Sequence, residues 1–371
     1  MLTEKPRIPF LHLFLYGFLP SSLKKLIYRL KGYKLGRHIE IGWGTIICGK
    51  NVEIGSHTSL SFMTIIRGND IKIGEHVKIG ALTFIDTPHL EIGDESKVNE
   101  QVFIGGLQFP NSELIVGKHC QIQQFVFINP APSVIIGDET SIGGHSLIFG
   151  HTSWHNVFEG YSAEFKPVKI GSHVGLGWRS FILPGSNIGN GAMVGANSVV
   201  NRSIPDRCLA VGFPARVVSK QPDFPHKLSH NDRIRILKQI IDEMISYWES
   251  FNISCQPIAP NHYVFRAIRK RKLKTVQEIG HLLVSYEAID DDALIGCPAP
   301  AILLSLTTIP NRTREAFNRQ NGMWMDIESK ERSDRGNIFG EEIVQFLRRY
   351  GVRFFRVKSA KNIRPNSNGI Q

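Results

Sequence analysis

Cysteine is scarce in this chain and unsuited to any framework. The five cysteines, Cys48, Cys120, Cys208, Cys255 and Cys297, are odd in number and scattered, with neither disulfide nor metal-ligand spacing, so a reducing compartment is expected and no bound metal. Long apolar runs are missing too. The stretch Ile8 to Leu19 spans about twelve positions against the roughly twenty a membrane-crossing helix needs. No basic region precedes it, and no small-residue cleavage site follows before Lys24, Lys25, Arg29 and Lys31. These absences predict a cytoplasmic protein without a transmembrane span. Acidic residues are in deficit, 33 against 44 Lys and Arg, which gives a formal charge of +11 and a pI near 9.4. That balance favours an anionic partner, whether a nucleotide-bearing small molecule, an acidic sugar polymer or a membrane surface, without choosing among them. No nucleic acid is expected.

What the chain has in abundance is a comb of aliphatic residues. Steps of six from Ile170 land on Leu176, Ile182, Ile188, Val194 and Val200, and Gly171, Gly177, Gly189 and Gly195 follow four of these positions. Six fits neither a helix near 3.6 nor a strand near 2; with glycine beside the apolar position it predicts a short strand and a sharp corner, repeated. Backwards the comb forms triplets: Ile54, Leu60, Ile66; Ile73, Ile79, Ile85; Ile92, Val98, Ile104; Val116, Ile122, Ile128; Ile136, Ile142, Ile148, with Ile41 and Ile47 opening the series. Each triplet is one coil of a three-sided solenoid. Roughly eight coils stacked at about 4.8 Å make a rod on the order of 35–40 Å long.

This comb, with the closing phrases Val199-Val200-Asn201-Arg202-Ser203-Ile204-Pro205 and Ala210-Val211-Gly212-Phe213-Pro214-Ala215-Arg216-Val217, resembles the hexapeptide-repeat acyltransferases over about residues 35–220. The resemblance implies a mainly β fold, a left-handed parallel β-helix. The handedness comes from the resemblance alone, since it opposes the usual right-handed crossover. It also implies a homotrimer with acetyl-CoA and a saccharide acceptor bound in clefts between subunits. Around it the reading places an N-terminal helical cap over residues 1–37, the β-helix over 38–220, a linker and helix over 221–256, and a small α/β domain over 257–371.

The run Ser21 to Leu30 reads as a basic amphipathic helix that either caps the open end of the solenoid or docks on anionic lipid at the inner face of a membrane. The comb is interrupted twice, where the spacing rises to twelve between Ile104 and Val116 and to twenty-two between Ile148 and Ile170. Insertions in a repeat array become surface loops, where chemistry is often placed. The larger one opens with Gly150-His151, three residues past Ile148. Acyl transfer to an alcohol needs a base for the hydroxyl proton, and histidine suits neutral pH. In the resembling family the catalytic histidine stands at this place, which makes His151 the candidate base and His155 the runner-up. A backbone N–H from an adjacent coil would stabilise the oxyanion. Glu159 is a candidate for orienting the imidazole. Asn129 and Trp154 are candidates for the acceptor, Asn129 reading equally as an ordinary corner residue before Pro130. The family's motifs place Gly177, Trp178 and Ala196 along the pantetheine arm of the donor, and Asn201, Arg202 and Arg216 near its phosphates, where basic residues suit a nucleotide. Trp178 departs from the small residue usual there.

Beyond Val217, Pro222 and Pro225 mark a linker, and Ser229 an N-cap for a helix over Arg233 to Trp248. Short apolar runs, Leu282 to Tyr286, Ala301 to Leu306, Met323 to Ile327 and Arg353 to Val357, then alternate with a helical stretch from Gly340 to Tyr350. The basic cluster Arg266, Arg269, Lys270, Arg271, Lys272 and Lys274 reads as a solvated helix face or a polyanion, membrane or partner contact. The leading reading is O-acetylation of a sugar of a surface polysaccharide or its precursor. N-acylation of an amino sugar is the nearest alternative. A zinc carbonic anhydrase on the same fold would need three histidines, drawn from His145, His151, His155 and His173, to converge on one zinc across a subunit interface; a non-catalytic trimeric scaffold would bind no CoA.

Overall fold

The structure is a computed structural model that describes residues 9–271, 274–289, 301–334 and 336–357. It divides into two compact units, Met1–Lys227 and Leu228–Gln371.

In the first unit the comb winds a three-sided parallel β-helix. On the first face Leu35, Ile54, Ile73, Ile92, Val116, Ile136, Ile170 and Ile188 stack in register. On the second, Ile41, Leu60, Ile79, Val98, Ile122, Ile142, Leu176 and Val194 do so. The third carries Ile47, Ile66, Ile85, Ile104, Ile128, Ile148, Ile182 and Val200. Nearly all are fully buried and share one core along the axis.

The corners differ from the sequence expectation in one respect. Glycines that follow the comb are needed for stacking and not for a left-handed backbone: a Cβ on Gly55 would lie 2.5 Å from the Glu75 nitrogen, and one on Gly177 2.4 Å from that of Ala196. The left-handed position comes two residues later and is filled by His57, His76, Leu82, Phe125 or His145, all at φ between 56° and 60°. Small hydroxyls satisfy the corner backbone. Thr58 accepts from the Val77 N–H at 3.2 Å and donates to the Gly74 carbonyl at 2.7 Å.

The helix Ser21–Leu30 caps the first coil with its own polar atoms. The buried Lys24 ammonium donates to the carbonyls of Gly42 and Thr45 at 2.6 and 3.0 Å. The Tyr28 hydroxyl accepts from the Ile47 N–H at 2.9 Å and the Ser21 hydroxyl from that of Ile41 at 3.0 Å. An otherwise open strand edge is thereby closed. At the other end Cys208–Gly212 joins the second face and Ala215–Lys220 folds back antiparallel on it. No helix among the described residues is long and apolar enough to cross a membrane.

The second unit is a seven-stranded mixed sheet carrying helices His230–Glu249, Asn311–Arg319 and Ile338–Leu347. Ser229 caps the first helix in a reciprocal capping box with Asp232, and Leu237, Ile241, Met244 and Trp248 line its buried side against Phe265 and Phe339. The basic cluster falls on a hairpin of His262–Arg271 with Lys274–Ser285, which replaces the helix-face reading. Arg266 donates to Gln256 at 2.6 Å. Lys272 and Cys297, and the side chains of Arg269, Lys270, Arg271 and Lys274, lie outside the described residues.

Candidate functional site

The two interruptions of the comb meet on one edge of the rod, where the third face turns into the first. Gly150 leaves the coil so close to the one beneath that a Cβ would lie 2.6 Å from the Ala131 carbonyl oxygen. The next two residues, His151–Thr152, pair antiparallel with Glu164–Phe165, so the insertion is an arm whose base is held by a short ribbon. That ribbon fixes the backbone of His151.

The His151 ring is 8 % exposed and its Nε2 lies 3.1 Å from Nδ2 of Asn129, itself 3 % exposed, one coil below. Phe149 and Phe165 flank the imidazole at 6.0 and 5.9 Å between ring centres. Phe109, from the smaller insertion, packs edge-on against Phe165 at 5.3 Å. Gly106 of that insertion, at φ 128°, lies against the Asn129 amide so closely that a side chain there would collide with it. Burial lowers the His151 pKa from its ordinary 6.5, favouring the neutral imidazole. Asn129 Oδ1 and His151 Nδ1 are buried and have no hydrogen-bond partner among the described residues. Buried polar atoms left without a partner call for one, an ordered water or a ligand group.

The remaining candidates fall elsewhere. His155 and Trp154 are exposed on the arm, His155 stacked on Tyr161 at 4.5 Å. Glu159 accepts from Asn156 Nδ2 at 3.1 Å within its own turn, so its hydrogen bond serves the arm and not the imidazole. Gly177, Trp178 and Ala196 lie on the edge between the second and third faces, with Trp178 packed over His145 and Gly144. Asn201 and Arg202 follow the last third-face strand, two coils beyond His151, and Arg216 is exposed on the returning strand Ala215–Lys220. Within one chain the base and the donor-arm candidates therefore occupy different edges. His145, His151 and His173 stand on three different edges, and among the described residues no three metal-binding side chains converge.

Phe109, Phe149, Phe165 and Gly106 were not singled out by sequence reasoning. The breaks in the comb were the available signal, since they marked both insertions. A second missed feature lies on the outside of the third face, where Ile65, Phe84, Phe103, Phe127, Leu147, Phe181 and Val199 form an apolar ladder, Ile46 at its capped end being buried beside Gly17. The first face carries Lys34, Glu53, Lys72 and Glu91 at the matching positions, paired as Lys34 with Glu53 and Lys72 with Glu91.

No family model matches the chain. It is 34 % identical over 125 residues to an Escherichia coli protein named for lipopolysaccharide biosynthesis O-acetyl transfer, WbbJ, covering 30 % of this chain and 63 % of that one. It is 32 % identical over 93 residues to the galactoside O-acetyltransferase of Escherichia coli, covering 24 % and 46 %. The chain thus spans less than two thirds of the length of these relatives. Among solved structures, the polySia-specific acetyltransferase NeuO aligns at 17 % identity and a TM-score of 0.38, over 54 % of this chain and 86 % of that one.

Proposed function

We propose that this chain transfers an acetyl group from acetyl-CoA to a sugar hydroxyl of a surface polysaccharide or its precursor, with His151 as the general base. The observation that carries the reading is the buried, half-satisfied Asn129–His151 pair at the point where both insertions converge. The names of the similar proteins supply the reaction class and the saccharide. A hydroxyl arriving there exchanges one contact for two. The Asn129 amide donates to its oxygen and Nε2 accepts its proton as that oxygen attacks the thioester carbonyl. The carbon–sulfur bond then breaks, and the imidazolium returns its proton to the CoA thiolate. Lowering of the His151 pKa by burial keeps the base deprotonated at neutral pH. Trp154 on the arm is proposed to touch the acceptor; Gly177, Trp178, Ala196, Asn201, Arg202 and Arg216 are proposed to hold the donor.

Because the third face lies between the edge of His151 and the edge of Gly177, self-association along its apolar ladder would set one chain's base beside a neighbour's donor residues. This supports a homotrimer with shared sites. The N-terminal segment is proposed to rest on a membrane surface. Phe14 is 75 % exposed, Leu15 and Leu30 are exposed as well, and Arg29, Lys31 and Lys34 are nearby in the sequence and exposed. Apolar side chains rimmed by cations suit an anionic leaflet.

Thiol release from acetyl-CoA on a glycan panel, with native protein and His151→Ala side by side, tests the central claim. Acceptor-dependent turnover lost in His151→Ala with CoA binding intact supports it. Failure of the native protein to bind CoA would overturn it.

A further inference from the structure

A recess lies on the same edge as Asn129 and His151, nearer the capped end. It encloses about 780 Å³, within the range of small-molecule sites and more than one sugar ring requires. Its floor comes from stacked corners. Cys48, Arg67 and Asp86 occupy the column one residue past the third-face comb, and the same register continues through Gly105 to Asn129. From Asp86 to Asn129 is two coil steps, about 10 Å along the rod.

The lining has two characters. Phe10 and Leu11 give an apolar wall; Arg67, Asn69, Asp86 and Gln108 give a polar floor. Arg67 Nε donates to the buried Asp86 carboxylate at 2.9 Å, and Gln108 Nε2 donates to the Asp86 carbonyl at 2.6 Å. The side chain of Asn69 has no hydrogen-bond partner among the described residues, and Lys50 stands exposed at the rim. The loop carrying Gln108 is shared with the candidate site, since Gly106 abuts Asn129 and Phe109 packs on Phe165. Groove and reacting pair are thus two stations on one edge, joined by one loop.

We propose that this groove binds the oligosaccharide segment adjoining the sugar that is acetylated, so that the acceptor is an extended glycan laid along the rod and not a free monosaccharide. The proposal rests on the acetyl transfer proposed above. A pyranose presents hydroxyls around its rim and C–H groups on its face, which fits a polar floor against an apolar wall. A polymer laid over several coils would also reach Asp86 and Arg67, which stand two and three coil steps from Asn129 in the same column.

Binding without donor separates this from the catalytic reading, because it needs no turnover. Galacto-oligosaccharides and oligogalacturonates of one to four units would be titrated calorimetrically into the full chain, native and Asn69→Trp, with Lys50→Ala as a mild surface variant. Affinity is expected to rise at least tenfold from one unit to four in the native protein for one of the ladders. It should stay flat in Asn69→Trp, with the single sugar unaffected. Loss of affinity in Lys50→Ala confined to the oligogalacturonates supports an anionic glycan. Length-independent affinity, absence of binding to both ladders, or an Asn69→Trp protein that binds four units like the native one would overturn the proposal. If the length dependence holds while acetyl transfer fails, the groove stands and the catalytic reading falls.

Discussion

Replacing Asn129 by Ala isolates the contact on which the catalytic reading depends. The amide lies 3.1 Å from His151 Nε2, both side chains are buried, and the next coil follows directly above. Removing it takes a donor from the ring and from the incoming hydroxyl, and leaving a buried polar group without its partner costs about 1–3 kcal/mol. At about 1.4 kcal/mol per tenfold, kcat/KM for the acceptor should fall by roughly 10- to 100-fold. The KM for acetyl-CoA should hardly move, because the pantetheine-arm candidates Gly177, Trp178 and Ala196 lie on another edge and Asn201 and Arg202 stand two coils beyond His151. Asn129→Asp adds a reading that a merely structural role would not give. A carboxylate beside the imidazole favours its charged form, so the His151 pKa rises and the acidic limb of the pH–rate profile moves to higher pH. The assay is acceptor-dependent thiol release across a pH series, with thermal melts to confirm folding. Asn129→Ala activity within twofold of native, or an Asn129→Asp profile superimposable on the native one, would refute the reasoning.

Burial of His151 predicts the pH dependence of the proposed reaction. Its folded pKa is depressed, so the acidic limb of kcat/KM should lie below 6.5. The unfolded chain takes up this proton first, so the stability tied to the neutral ring is complete above 6.5 and is lost as pH falls through the folded value; a limb at or above 6.5 contradicts the site's burial. Phe127→Asp, in the middle of the outer third-face ladder, should convert the proposed trimer to monomer in light scattering and abolish turnover, since each Phe lost from such an interface forfeits about 1.5–3 kcal/mol. Lys24→Met keeps the stem and strands the carbonyls of Gly42 and Thr45, a loss of about 1–3 kcal/mol that should lower the melting temperature by roughly 2–10 °C. Phe14→Ser with Leu15→Ser should cut sedimentation with vesicles of anionic lipid while leaving turnover on a water-soluble acceptor unchanged; equal sedimentation excludes that surface.

The rod was legible because its physics is one-dimensional. A buried aliphatic recurring every six residues leaves no other way to satisfy the period, and every comb position from Ile41 to Val200 stands where the spacing put it. The corner chemistry was not legible in the same way. Glycine was read as the residue that turns, yet it is the residue that lets coils approach, while His57 or Phe125 takes the left-handed turn at its own cost. The sequence holds both patterns, but only the coil stacked above decides which one each residue serves. The basic cluster after Arg266 failed for a related reason. Its charges mask a two-residue alternation, and its strand pairing is fixed by a partner several residues away.

Site residues were legible where a change of period announced them and obscure where packing alone brings them together. Gly150-His151 stands at a break in the comb, and Asn129 is exactly one coil step beneath Phe149 in register, so both lie within reach of counting. Glu159, chosen as a carboxylate in the same insertion, is instead consumed by the turn it sits in, because Asn156 is three residues away and no fold is needed to join them. Phe165 reaches the imidazole only because the arm doubles back as a ribbon, which no linear spacing reveals. The donor candidates follow the same logic at a larger scale. A solenoid fixes which edge a residue occupies by its position within the six-residue step, so Gly177 and His151 are bound to different edges however close they stand in sequence. If the proposed chemistry is right, the apolar ladder between those edges is the part of the chain that makes an enzyme of them, and its outward phenylalanines matter to catalysis without touching the substrate.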